Sequence, residues 1–223
     1  MEKIKLTERM QAVAQLGGKS RFAVDVGTDH GYLAVWLVQN GRAERVTATD
    51  IRPGPLSSAR AAVERCGLGG RIRLELCNGL DFEGADEADT VYAAGMGGET
   101  IEGILRRAPW TKDGARLVLQ PQSKLDELCL WLRISGYGIE EARLAAEGER
   151  LYVAMAVRGG WSEQLFAEDA LKAAEDPLLG RWLDERIARA QRALEGMESA
   201  VKRRDTFELR RTLSRLTALR KEL

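Results

Sequence analysis

The chain has 223 residues, 44% hydrophobic and 30% charged, enough for one ordinary domain with an appendage and balanced like a folded globular chain rather than a disordered or fibrous one. Its net charge is zero, 34 basic residues against 34 acidic, which excludes a uniformly basic coat, so any polyanion must be met by locally segregated charge. No apolar run is long enough to span a bilayer, and Met1-Glu2-Lys3-Ile4-Lys5 lacks the apolar stretch of a secretory signal. The 3 cysteines, Cys66, Cys77 and Cys129, form no C-x-x-C pair and have no histidine near them, which predicts neither a disulfide framework nor a metal site. Together these features predict a cytoplasmic protein without membrane or metal partners.

From Arg21 to about Gly159 short strands alternate with helical stretches. Phe22 to Val26 is an apolar run ending in glycine, and Tyr32 to Val38 is helix-like until Gly41 stops it. Arg45 to Asp50 is a second strand, followed by Pro53, Pro55 and a helical Leu56 to Cys66. Ile72 to Leu76 alternates with period two, and Thr90 to Ala94 reads as a buried fourth strand. Arg116 to Leu119 ends at Gln120-Pro121, and a helix follows to about Ser135. This alternation predicts an α/β fold, a parallel sheet with helices on both faces. Gly138 to Ala145 and Arg150 to Val157, joined by Ala146 to Glu149, predict a hairpin whose antiparallel last strand closes the sheet.

Composition changes at Gly159-Gly160, which predicts domains at 1–159 and 160–223. Leu179, Leu183, Ile187, Ala190, Leu194, Met197 and Val201 make a heptad-like seam. Asp205 to Glu208 resembles a capping box with Asp205 as N-cap, and Leu209, Leu213, Leu216 and Leu223 continue along one face. The pattern predicts a C-terminal α-helical hairpin. Its charge is uneven: Trp161 to Gly180 holds 5 acids and 1 base, whereas Arg181 to Leu223 holds 12 bases and 7 acids. A solvated coiled-coil face explains this as well as a nucleic-acid contact does.

The most informative segment is Asp25-Val26-Gly27-Thr28-Asp29-His30-Gly31-Tyr32-Leu33, which follows the first strand and opens a helix, where doubly wound sheets bind nucleotides. It is not G-x-G-x-x-G, because Asp29 occupies the second glycine's position and would repel a pyrophosphate at the helix N-terminus. A cationic ligand is favoured instead. Asp50, ending the second strand, is placed to accept from ribose hydroxyls, although alone it would equally be a helix cap. Asn78-Gly79-Leu80 follows the third strand, where an amide suits an adenine edge. Gly95-Met96-Gly97-Gly98 follows the fourth and lacks a phosphate-binding lysine; close packing of a helix would also explain it. Four turns at successive strand ends converge on one crevice, and S-adenosylmethionine fits them best.

Taken together, Asp25 to Leu33, Asn78 to Leu80, Ala94 to Gly98 and Leu119-Gln120-Pro121 resemble the bacterial tRNA (adenine(22)-N1)-methyltransferase family, the TrmK type. The resemblance runs from the N-terminal helix to about Val157, and the hairpin suits that family's C-terminal coiled coil. It implies a class I methyltransferase domain with a Rossmann-like sheet that binds S-adenosylmethionine and methylates N1 of an adenine in the tRNA D-arm. The implied cofactor residues are Asp25, Gly27, Thr28, Asp29, His30, Gly31, Asp50, Ile51, Asn78, Gly79, Leu80, Gly95, Met96 and Gly97. Asp29 and His30 are the implied catalytic pair. Gln120 and Pro121 are expected to meet the substrate, and Lys202, Arg203 and Arg204 at the hairpin tip to meet tRNA phosphates, in a protein that acts as a monomer. The chain departs from the family pattern at Gln122 and Cys77, where asparagine and glycine are expected. No N/D-P-P-Y/F motif follows the fourth strand, which argues against methylation of the amino nitrogen. Two alternatives stay open: a non-enzymatic tRNA-binding adaptor on the same fold, and a nucleotide-dependent oxidoreductase.

Overall fold

The apolar runs between Ser20 and Gly159 build a sheet whose central strands are buried on both faces. The computed structural model describes residues 2–198 and 205–223. Seven strands, β1 (Ser20–Val26), β2 (Ala43–Asp50), β3 (Ile72–Leu76), β4 (Thr90–Met96), β5 (Arg116–Pro121), β6 (Tyr137–Glu147) and β7 (Arg150–Gly159), form one sheet in the order β3-β2-β1-β4-β5-β7-β6. The first five are parallel, and β7 runs antiparallel to both β5 and β6. Chain order reverses between β1 and β4, so the crevice at their carboxyl ends is the topological switch point.

The antiparallel strand does not lie at the edge, as a closing strand would, but between β5 and β6. Its residues Val153 to Val157 are all buried, which requires cover on both faces and neighbours on both sides. The edge falls to β6, where Glu140, Glu141 and Arg143 are exposed and discourage further pairing.

Helices α1 (Glu8–Leu16), α2 (Tyr32–Gln39) and α3 (Pro53–Arg65) contribute to one core with Ala23, Val46, Ala48, Tyr92, Val118, Ala154 and Ala156. Alternate strand residues face α4 (Gly98–Arg107) and α5 (Leu125–Ile134), as where Cys129 meets Met155 at 3.9 Å. α3 begins three residues earlier than the sequence pattern predicts, because Pro53 occupies a first-turn position where no N–H is required. Gly17 closes α1 against β4: a Cβ there would meet the Tyr92 hydroxyl at 1.8 Å and its ring carbons at 2.4 and 2.7 Å.

A further helix, α6 (Ala167–Ala173), packs on β6, so the first compact unit runs to Ala174 rather than to Gly159. The second unit, Glu175–Leu223, pairs α7 (Leu179–Glu198) with α8 (Phe207–Lys221). Arg220 near the end of α8 meets Asp184 near the start of α7 at 2.8 Å, as an antiparallel hairpin requires. The described seam residues of α7 are buried or half-buried, as are Leu209, Leu213 and Leu216, whereas Leu223 lies beyond α8 and is exposed. Thr206, not Asp205, is the N-cap of α8, and Asp205 instead accepts from the Phe207 amide at 2.9 Å. Val201, Lys202, Arg203 and Arg204 lie outside the described residues.

Since the Tyr92 ring is fully buried and cannot swing aside, Gly17→Ala should lower stability by about 1–3 kcal/mol, read as a lower urea midpoint at unchanged slope. Tyr92→Phe in that background should recover only part of the loss, because the ring carbons remain in the way.

Candidate functional site

The turn after β1 is shaped by hydrogen bonds that consume its own donors. The Gly27 and Thr28 amides both donate to the Thr49 carbonyl, at 2.8 and 2.9 Å, and Gly27 takes φ +72° to allow it. The Thr28 hydroxyl donates to Asp25 at 2.7 Å, and both side chains are buried beneath the turn. Gly31, at φ +70°, opens α2, and a Cβ there would lie 3.0 Å from Ala59 of α3. With these two amides spent on the sheet, they cannot cradle a pyrophosphate. Asp29 and His30 are left on the outer arc, with side chains 75% and 52% exposed and 3.2 Å apart.

A crevice of about 510 Å³ opens above this turn, lined by Asp25, Gly27 to Leu33, Arg52, Ala94, Gly95 and Gln122 together with Lys5, Leu6, Thr7, Arg9 and Met10. The last five come from the N-terminal segment and the start of α1, which no motif marked in the sequence. The only available signal was Thr7, whose side chain accepts from the Met10 amide and starts the helix that carries Arg9. A second hollow at the amino ends of β1, β2 and β3 is lined by Phe22, Arg45, Gly70, Arg71, Phe82 and Glu87. Arg45 is already committed there to Glu87 at 2.9 Å and to the face of Phe22 at 4.1 Å, and the hollow is at the end of the sheet opposite the switch point.

At the end of β2, Asp50 is buried and its Oδ1 accepts from the Arg52 amide at 2.8 Å, which leaves Oδ2 to take a ribose hydroxyl. Ile51 beside it is 67% exposed, an apolar surface suited to a purine. Thr49 donates to the Gly79 carbonyl at 2.9 Å and so joins the turn after β3 to the turn after β1. Gly79 has φ +71°, and a Cβ would strike Ile104 at 2.9 Å; Leu80 is buried. Asn78 Oδ1 accepts from Arg107 at 2.8 Å, which leaves its amide nitrogen for an adenine edge. Burial, followed by the Glu75 and Asp81 carboxylates, pushes the Cys77 thiol above its usual range, so it is no activated nucleophile.

The glycine cluster after β4 divides into two roles. Gly95, at φ +79°, sits where the β4–β5 register shifts, a bulge that turns the strand end toward the crevice. Met96 Cε lies 3.0 Å from where a Gly27 Cβ would be. Gly97 caps α4, and a Cβ on Gly98 would meet the Lys124 and Ser123 carbonyls at 2.7 and 2.9 Å, so this glycine serves close packing. Gln120 and Pro121, expected to meet substrate, are buried. Gln120 is 1% exposed, with Oε1 accepting from Gly95 N at 3.1 Å and Arg9 Nη1 at 2.9 Å and Nε2 donating to the Pro121 carbonyl at 3.2 Å. It braces the rim, and Gln122 is the glutamine on the crevice wall.

Comparison with known proteins fits this geometry. The model of the methyltransferase domain family matches residues 6–155. The tRNA (adenine(22)-N(1))-methyltransferase of Bacillus subtilis is 31% identical over 82% of this chain and 76% of its own length. The chain belongs to the tRNA (adenine(22)-N1)-methyltransferase family. A Streptococcus pneumoniae protein solved in complex with S-adenosyl-L-methionine is similar at TM-score 0.82, 27% identical, over 97% of this chain and 100% of that one. TrmK of M. capricolum, solved with S-adenosyl-homocysteine, is similar at TM-score 0.76 and 25% identity over 97% of each chain.

For a family that uses a cofactor carrying both a sulfonium and an ammonium, the acidic groups here are apt: Asp25 lines the crevice, and the second buried carboxylate, Asp50, stands at the end of the adjacent strand, outside the lining itself. Asp25 is the one whose burial sets its titration. Burial raises its pKa to about 6 from an ordinary 3.8, only partly offset by the Thr28 hydroxyl and the Ala34 amide. The folded state therefore holds this proton more tightly than the unfolded state. The resulting stability is present in full below about pH 3.8 and is lost as pH rises through about 6, about 3 kcal/mol in all. Asp25→Asn should thus be more stable than wild type above pH 6 and nearly equal to it at pH 4, read as urea midpoints across pH 4–8. A cofactor cation next to Asp25 favours its charged form, so wild-type S-adenosylmethionine affinity should rise between pH 5 and 7 while that of Asp25→Asn stays flat in calorimetry.

Proposed function

We infer that this protein transfers the methyl group of S-adenosyl-L-methionine to N1 of the adenine at position 22 of tRNA. One observation carries the reading beyond family membership: the turn after β1 gives two amides to Thr49 and keeps buried Asp25 beneath it, a site for a cation-bearing adenosine rather than for a dinucleotide. The same observation disfavours the oxidoreductase alternative.

When bound, S-adenosylmethionine supplies an electrophilic methyl group on a cationic sulfur. On this reading Asp50 and Ile51 hold its adenosine, and Asp25 faces its cationic end. The substrate N1 lies on the Watson–Crick edge, so the base must leave its pair before its lone pair can approach the methyl carbon in line. As the N1–C bond forms and the S–C bond breaks, positive charge moves onto the adenine. Asp29, on the outer arc of the turn, accepts a hydrogen bond from the exocyclic amino group and stabilises that charge, and His30 orients Asp29 from 3.2 Å. The lone pair needs no general base, so orientation supplies most of the acceleration.

Incubation with an unmodified tRNA transcript tests the function, because N1-methyladenine blocks Watson–Crick pairing and stops reverse transcription at the modified base. A stop at position 22 that depends on S-adenosylmethionine is expected; tRNA binding without methyl transfer would return the protein to the adaptor class. Asp29→Asn should lower kcat about 10²-fold while tRNA and cofactor affinities stay within about threefold. Equal losses in binding and turnover would reduce Asp29 to shaping the turn.

We further propose that residues 1–174 carry cofactor and chemistry, that the hairpin, 175–223, grips the tRNA backbone, and that the enzyme acts as a monomer in the cytoplasm, where its substrate resides. The support is chemical: a neutral chain must concentrate its cations to hold a polyanion, and Lys202-Arg203-Arg204 is its densest basic run. Replacing Arg203 and Arg204 by glutamate should weaken tRNA binding and reduce the slope of log K against log salt by about 1 to 2. An unchanged slope at normal affinity would make the run a solvated surface.

A further inference from the structure

An adenine lifted from its helix loses its stacking partners, so the site that receives it must present another π face. Among the described residues that line the crevice, His30 and Tyr32 are the ring-bearing ones. Tyr32 is the first residue of α2, and packing does not demand it. Of the seven residues that follow in this helix, five are buried (Leu33, Ala34, Val35, Leu37 and Val38), yet the tyrosine is 44% exposed. It stands one residue after Gly31, whose φ of +70° and tight contact with Ala59 fix where the helix starts. The His30 ring lies beside it, with centroids 5.5 Å apart and planes 30° apart, an offset pair rather than two independent side chains. The exposed carboxylate of Asp29 is 3.2 Å from the same imidazole. A π face, a second ring backing it and a carboxylate acceptor thus occupy four consecutive residues, Asp29 to Tyr32, on one wall of the crevice.

We propose that Tyr32, backed by His30, is the stacking platform for the target adenine, with Asp29 at the amino edge of the stacked base. The proposal rests on the tRNA adenine-N1 reading and adds the group that holds the base in the plane from which its N1 lone pair reaches the methyl carbon. A stacking face serves any base, so Tyr32 supplies affinity for the unstacked state, whereas choice of adenine falls to hydrogen-bonding groups such as Asp29. The phenolic hydroxyl has no part in this, which separates the platform from a hydrogen-bonding role.

The test uses the full chain and three variants, Tyr32→Phe, Tyr32→Trp and Tyr32→Leu. Melting temperature, S-adenosylmethionine Kd by calorimetry, tRNA Kd by filter binding, and kcat and KM for transcript methylation are measured for each. Phe and Trp should stay within about threefold of wild type in every quantity. Leu should keep its melting temperature and both affinities but lose kcat about 10- to 100-fold, the size of one base–aromatic stack. The expected loss is in kcat because most tRNA affinity comes from backbone contacts, while the fraction of bound tRNA with its base in place falls. Three results would overturn the platform: a Leu variant as active as wild type, a Leu variant whose cofactor affinity falls in step with its activity, or a Phe variant as impaired as Leu. A wild-type enzyme that leaves position 22 unmethylated would overturn the functional reading instead, and the control reaction reports that independently.

Discussion

The carbonyl oxygen of Thr49 accepts from two successive amides, those of Gly27 and Thr28, and this double hydrogen bond ties the end of β1 to the end of β2. The Thr49 hydroxyl extends the tie to Gly79 after β3, so one fully buried residue holds three strand ends together on the crevice side of the sheet. Because each buried donor and acceptor must find a partner, the tie fixes where everything else at the turn can go. Thr28 is drawn down onto Asp25, Gly27 takes a positive φ, and Asp29 and His30 are forced outward. A Rossmann-type turn that kept its amides for phosphate could not have this arrangement. The preference for a cation-bearing adenosine thus follows from where two N–H groups are spent.

A second tie joins the other half of the crevice to the N-terminal helix. Gln120 Oε1 accepts from the bulged Gly95 and from Arg9, whose Nε lies 3.4 Å from Glu147 and whose guanidinium lies 5.3 Å from the centroid of the Tyr152 ring. One guanidinium therefore connects α1, the end of β5 and both strands of the β6–β7 hairpin. A point charge could not meet a carboxamide, a carboxylate and a ring together, which is why lysine would be a poor substitute here. Through this residue the segment Lys5 to Met10 is held over the crevice, and residues far apart in the chain share one wall.

Much of this was legible in the sequence because it rests on local rules. Strands buried on both faces read as apolar runs, and glycines at positive φ mark turns, so the sheet, its switch point and the loops at Gly27, Gly79 and Gly95 could be placed from residue types alone. The described part of the α7 seam was legible for the same reason, since its period is that of the helix. What escaped depended on tertiary pairing. Nothing in the sequence near Gln120 says that its amide will be consumed by Gly95 and Arg9, so a polar residue before a proline at a strand end reads as a substrate contact. Glycine likewise reads the same whether it turns a chain or admits a neighbour: Gly95 does the first and Gly98 the second. The division at Ala174 escaped because α6 is short and contributes to the sheet's unit by packing on β6, a contact that composition does not record.

The exposure of Asp29 has a chemical logic of its own. A carboxylate buried in the free enzyme would raise its own pKa, as happens to Asp25, and could arrive at the reaction protonated. Asp29 instead stands in water, with its side chain 75% exposed. A unit charge pair about 4 Å apart is worth about 1 kcal/mol in water and about 4 kcal/mol at the dielectric of a partly buried site. On the function proposed above, covering Asp29 with the substrate would strengthen its pull on the adenine at the moment the base acquires positive charge. On that same proposal the carboxylate would do little in the open crevice and most once RNA covers it, so the event that excludes water would also supply the electrostatic part of the acceleration.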